Sequence, residues 1–135
     1  MNAPAKKKRS WIAGCFILLV VALGLLGSCV WMIAEPSRRA ESTHAAIRVG
    51  MSFTEVEQLL TGRRYCFYMV ERPPGSGGWD KVSREEFAKL VAGPDPMNFR
   101  LSLTFMGMSP GRVSFSVDLD RAGRVQKLSE PHGWD

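Results

Sequence analysis

Phe99-Arg100-Leu101-Ser102-Leu103-Thr104-Phe105 alternates apolar and polar residues without a break, and Val113-Ser114-Phe115-Ser116-Val117-Asp118-Leu119 repeats the pattern. Side chains of a strand point alternately to opposite faces, so this patterning predicts two strands with one face buried and one wet. Gly107 to Gly111, enclosing Pro110, supplies a first turn, and Asp120-Arg121-Ala122-Gly123 a tighter second one. Val125 and Leu128 then belong to a short closing strand. Upstream, the aromatic run Tyr65-Cys66-Phe67-Tyr68-Met69-Val70 reads as another strand, giving an antiparallel sheet of about four strands.

The apolar face of such a sheet needs a cover, and two helix starts provide it. In Met51-Ser52-Phe53-Thr54-Glu55-Val56, Ser52 is placed to cap a helix while Glu55 reaches back to complete a capping box. Met51 and Val56 occupy the positions of a hydrophobic staple, Phe53, Val56, Leu59 and Leu60 share a face, and Gly62 is placed to end the helix. Val82-Ser83-Arg84-Glu85-Glu86-Phe87 repeats the arrangement, with Gly93-Pro94 as the stop. Residues 35–49 read as a linker or a short helix on which Ala40, His44 and Ile47 share a face. The expected class is α+β, two or three helices packed on one face of the sheet.

Further toward the N-terminus the chain changes character. Residues 11–34, Trp11 to Ala34, carry no charge; as a helix they extend about 36 Å, enough to cross a hydrocarbon core about 30 Å thick. Trp11 and Trp31 fall near its two interfaces. Lys6, Lys7, Lys8 and Arg9 lie in the basic tail of residues 1–10, which the positive-inside rule keeps cytoplasmic, so that the chain beyond Glu35 is exported. Leu25-Leu26-Gly27-Ser28-Cys29 also has the form of a lipobox, with Cys29 as the lipidated residue, but Val30-Trp31-Met32-Ile33-Ala34 prolongs the apolar run past the cleavage point. A transmembrane anchor is therefore the expectation, with lipidation at Cys29 as the alternative. Gly24 and Ser28 form a small-xxx-small pair that would let two such helices approach closely.

The net charge of +5 does not indicate nucleic acid. Beyond the tail and span, 14 Lys and Arg face 13 Asp and Glu, with no basic stripe to release counterions from phosphates. Cys66 is alone in the exported part, so no disulfide framework is expected, and its strand setting suggests a buried thiol. Neither His44 nor His132 has a second ligand at helical spacing. Cys66 with His132 would be the pair for a thiol enzyme. Asp118 and Asp120 stand two apart, but Gly123 marks a turn rather than a calcium loop. Pro73 to Lys81 is glycine-rich without the ending of a phosphate-binding loop and reads as a flexible surface loop, at whose exit Trp79 is a candidate for partner binding. No catalytic, metal or cofactor site is expected.

Two segments resemble a known family. Ile47-Arg48-Val49-Gly50-Met51-Ser52-Phe53-Thr54-Glu55-Val56-Glu57-Gln58-Leu59-Leu60 is similar to the opening of the SmpA/OmlA (BamE-like) small outer-membrane lipoproteins, in which Gly50, Met51, Ser52, Glu55 and Val56 match the turn and helix start. Val117 to Val125 looks like the late hairpin of that family. The resemblance implies a SmpA/BamE-like domain over 50–135, with the fold of β-lactamase-inhibitor-protein-like modules and an insertion at 72–98. It also implies the alternative role of a lipoprotein accessory subunit in outer-membrane protein assembly.

The expectation is thus a non-enzymatic, single-pass protein of the bacterial inner membrane, N-terminus cytoplasmic, displaying a periplasmic interaction domain. Its partners would be the bilayer and another envelope protein. Thiol chemistry at Cys66 is the second alternative.

Overall fold

The computed structural model describes residues 4–60, 66–106 and 111–134, and of residues 4–8 and Trp134 only the backbone course. The helix stop expected at Gly62 and the turn at 107–110 lie outside the described residues, as do the side chains of Lys6, Lys7 and Lys8.

The first helix, α1, runs from Pro4 to Ala46 as one element. Its apolar part is exposed throughout, and it is long and apolar enough to cross a membrane. No linker separates the apolar stretch from the domain: the helix continues through Pro36, and residues 35–46 form its last turns. Pro36, Ala40, Thr43 and Ile47 are buried at helical spacing, so this end of α1 presents one face to β3 and β4. His44 sets its ring edge-on to Phe115, centroids 5.2 Å apart.

Beyond α1 the order is α2 (Phe53–Leu59), β1 (Cys66–Glu71), β2 (Trp79–Val82), α3 (Arg84–Ala92), β3 (Phe99–Met106), β4 (Arg112–Leu119), β5 (Val125–Leu128) and β6 (His132–Trp134). The fold is α+β with an open antiparallel sheet ordered β2-β1-β3-β4-β5, and β6 pairs with β4 alongside β5. The sheet has six strands rather than about four. β2 lacks apolar alternation because Val82 is the one apolar residue on its core-facing side, the other being Asp80, yet it pairs fully with β1 from Glu71↔Trp79 to Tyr68↔Val82. β5 and β6 are two halves of one edge interrupted at Ser129 to Pro131, where Ser129 exchanges hydrogen bonds with Ser116 in both directions.

Helix α2 starts with the expected capping box: Ser52 Oγ accepts from the Glu55 amide and the Glu55 carboxylate accepts from the Ser52 amide. These bonds hold the Glu55 pKa below its ordinary range. At α3 the forward half recurs, Ser83 Oγ accepting from the Glu86 amide, but Glu86 Oε1 takes a hydrogen bond from Arg72 at 3.0 Å. Gly93 caps the C-terminus of α3 as expected.

All three helices cover the same sheet face. Val70, Phe99, Leu101, Leu103, Phe105, Phe115, Val117 and Leu119 are buried beneath them. Phe87 from α3 is the hub: fully buried, its ring lies 5.0 to 5.3 Å from those of Phe53, Tyr68 and Phe99. Each such ring contributes about 1.5–3 kcal/mol by leaving water. The segment read as an insertion therefore supplies an edge strand and the centre of the core.

The two segments that carry the family resemblance meet in space. Gly50 donates to the Val125 carbonyl at 2.7 Å, Val125 donates to Met51 at 2.8 Å, and Phe53 donates to Gly123 at 2.9 Å. Gly123 is required here twice over. Its φ is +73°, and a Cβ would meet Val91 Cγ1 at 2.5 Å. In the same turn Asp120 Oδ1 accepts from the amides of Ala122 and Arg124, each at 2.9 Å.

Candidate binding surface

No helix packs on the second face of the sheet among the described residues. Strand register places Phe67, Met69, Trp79, Lys81, Arg100, Ser102, Thr104, Ser114, Ser116 and Asp118 there. Alternation predicts this face as wet, and its serines and threonines are half-buried by their neighbours only. What the patterning does not show is that the face carries two aromatic rings, each covered by a cation: Phe67 by Lys81 from the adjoining strand, and Trp79 by Arg100, which reaches across β1 from β3. Lys81 Nζ lies 4.1 Å from the centroid of Phe67, which remains 39% exposed. The Arg100 guanidinium lies 4.2 Å from the centroid of the Trp79 ring. Such stacking is worth about 0.5–1 kcal/mol at exposed sites, and leaves each ring accessible from the side.

Trp79 is not a loop residue. It opens β2 opposite Glu71, and its ring is held by Arg100 rather than projecting freely. Arg100 is itself fixed by Asp118 on β4, Nε to Oδ1 at 2.6 Å and Nη2 to Oδ2 at 3.0 Å. This fork-to-fork pair raises the guanidinium pKa, the hydrogen bonding outweighing partial desolvation. Asp118 and Asp120 do not converge: the first faces Arg100, the second caps the turn.

The glycine-rich segment after β1 is ordered around a carboxylate. Glu71, 6% exposed, accepts from Asn98 Nδ2 at 2.5 Å and from the amide of Gly77 at 2.8 Å, with a further bond from Gly75. The Asn98 bond and the two amides hold its pKa below the ordinary range. Gly75 and Gly77 have φ of +82° and +77°, so the loop winds its amides inward onto Glu71 in a conformation that side chains resist. The flexible loop expected here is a carboxylate-centred turn. Its organiser is the last residue of β1, held from one side by the turn itself and from the other by Asn98.

Cys66 faces the covered side opposite Leu103 and is partly buried. Burial, with Glu57 nearby, pushes its thiol up to about 12 despite a hydrogen bond with Tyr68, so it stays protonated at neutral pH. His132, on β6, belongs to the open face, with β3 and β4 lying between its strand and that of Cys66. The structure does not bring the two together as nucleophile and base. Among the described residues no group of three or more His, Cys, Asp or Glu is placed to hold a metal ion. In α1, the Ser28 hydroxyl bonds back to the Gly24 carbonyl at 2.9 Å, and Cys29 is exposed on the helix. Arg9 and Trp11 are exposed at the N-terminal end of the apolar stretch, and Arg38 stacks over Trp31 at 5.2 Å near the other end.

Comparison with models of known protein families, with curated proteins and with solved structures finds no match in any of the three.

Proposed function

We propose that this chain is a non-enzymatic, single-pass protein of the bacterial inner membrane. Its N-terminus is cytoplasmic, and its α+β domain binds another envelope protein in the periplasm. The observation that carries the reading is the uncovered sheet face with Phe67 and Trp79 stacked beneath Lys81 and Arg100, on a domain continuous with a helix long enough to span a bilayer. Aromatic rings and arginine are the side chains most enriched at binding hot spots. Lys81, Arg100, Arg112 and Lys127 outnumber Asp118 on this face, since Glu71 is already consumed by its own turn. The complementary partner presents an acidic segment. Confinement to the membrane raises the effective concentration of the surface near such a partner.

A SmpA/BamE-like fold is part of the same reading. It draws support from the way Gly50 to Phe53 and Gly123 to Val125, the two resembling segments, clasp each other through backbone hydrogen bonds. The anchored-lipoprotein alternative is separated by intact mass: an unprocessed chain in the inner membrane supports the span, and a chain beginning at an acylated Cys29 replaces it.

A photo-crosslinking residue at Phe67 tests the surface in cells, with one at Glu85 on the opposite, helical side as control. A discrete adduct from position 67 that is absent from 85, and is lost with Trp79→Ala, is expected. Identical adducts from both positions, or none from 67, would remove the open face as the binding surface.

A further inference from the structure

The point at which the domain begins to enclose α1 lies almost at the end of the apolar stretch. Ala34 is the last residue of that stretch, and Pro36 is already buried. Two residues of helix are about 3 Å. A domain that closes on its helix that soon has no clearance above the bilayer, whose headgroup layer extends about 5–7 Å beyond the hydrocarbon on each side.

Strand register identifies which end of the domain is concerned. His44 meets Phe115, and the chain beyond α1 joins Val125, which pairs with Leu119. The last turns of α1 therefore run in the same direction as β4. From Phe115 back to Arg112 is about 10 Å of strand, equivalent to about seven residues of helix, which puts Arg112 level with Ser37. Met106 pairs with Arg112 and sits at the same level. The Glu71 turn and the Asp120 turn lie at the other ends of these strands, about 23 Å away.

The low end has the side chains a lipid surface suits. Met106 is half exposed and Arg112 is exposed. Arg38 lies over Trp31, and Arg39 pairs with Glu35, leaving an excess of cations at phosphate level. Arginine and an amphipathic indole are the residues that settle in that layer.

We infer that the β3–β4 end of the sheet, through Met106 and Arg112, rests on the phospholipid headgroups of the membrane that α1 spans. The domain stands upright on that membrane, with Trp79, Arg100 and the Glu71 turn held at the far end for a partner. The inference rests on the reading of α1 as a transmembrane helix.

Spin labels on the full-length chain, reconstituted in phosphatidylcholine–phosphatidylglycerol vesicles, test it. Cys15, Cys29 and Cys66 are first replaced by Ser, and single cysteines are introduced as M106C, R112C, S76C and L23C. Circular dichroism checks each fold, and R112C stands in if M106C is perturbed. Labels at 106 and 112 should collide with a lipid-anchored nickel chelate several-fold more often than a label at 76, which should see only a water-soluble relaxant. Equal exposure of 106, 112 and 76 to the water-soluble relaxant would overturn the inference, as would shielding of 106 and 112 from both relaxants, which would mean that protein covers that end. The label at 23 separates the causes. If it is oxygen-accessible and chelate-inaccessible, the span stands and only the resting contact has failed; if it is in water, the transmembrane reading has failed as well.

Discussion

The two faces of this sheet arise from the same alternation and end in opposite conditions. On the covered face, Phe99, Leu101 and Phe115 are sealed under three helices, and the Phe87 ring touches three others. On the open face, Phe67 and Trp79 lie beneath the charged groups of Lys81 and Arg100, with no helix over them among the described residues. Burial makes the first face the source of stability. The second contributes less, since a cation–π contact at an exposed site is worth only about 0.5–1 kcal/mol. Under the proposed function, stability and recognition are thus divided between the faces of one sheet.

Substitution of Phe87 is the strongest test of that division. Phe87→Ala opens a cavity in the aromatic hub and should cost about 3–5 kcal/mol, read as a lowered denaturant midpoint of the domain. Phe67→Ala, the same chemical change on the open face, should cost about 1 kcal/mol or less while weakening partner capture. Equal destabilisation by the two would erase the contrast and imply that something covers the open face.

Acid should separate the faces more gently. The carboxylates of Glu71 and Glu55 are held below their ordinary value of 4.5 by hydrogen bonds made only in the folded chain. Their contribution is fully present above that value and is lost as pH falls through the lower folded values. Below about pH 4.5 the turn around Glu71 should loosen first, read as faster proteolysis between Pro73 and Gly78 with the aromatic core still packed. Glu71→Gln should flatten this response, and an unchanged acid profile would assign the turn's order to other contacts.

Much of the architecture is legible from local patterns. The β3 and β4 alternation, the Ser52–Glu55 box, the Asp120–Gly123 turn and the long uncharged stretch each depend on residues close in sequence, and each forms as expected. The elements that were not legible lack such patterns. β2 has one core-facing apolar residue, and β6 is three residues long after a proline, so both exist only because a neighbouring strand offers hydrogen bonds. The candidate surface follows the same divide. Trp79 stands out by its residue type, whereas Arg100, Asp118 and Lys81 are ordinary surface charges until register sets them against the rings.

Short-range patterns were enough to specify a helix long and apolar enough for a bilayer and an α+β domain with one apolar sheet face, because hydrophobic periodicity and helix caps are local properties of the chain. It took the folded chain to establish that the helix enters the domain without a linker, that Glu71 winds the glycine-rich turn around itself, and that cations lie across Phe67 and Trp79. Each depends on contacts between residues far apart in sequence: the end of α1 packs on β3 and β4, Asn98 holds Glu71 from across the sheet, and Lys81 and Arg100 reach rings on other strands. They exist only once the strands have found their register, since sheet pairing and side-chain stacking are set by which backbones lie side by side.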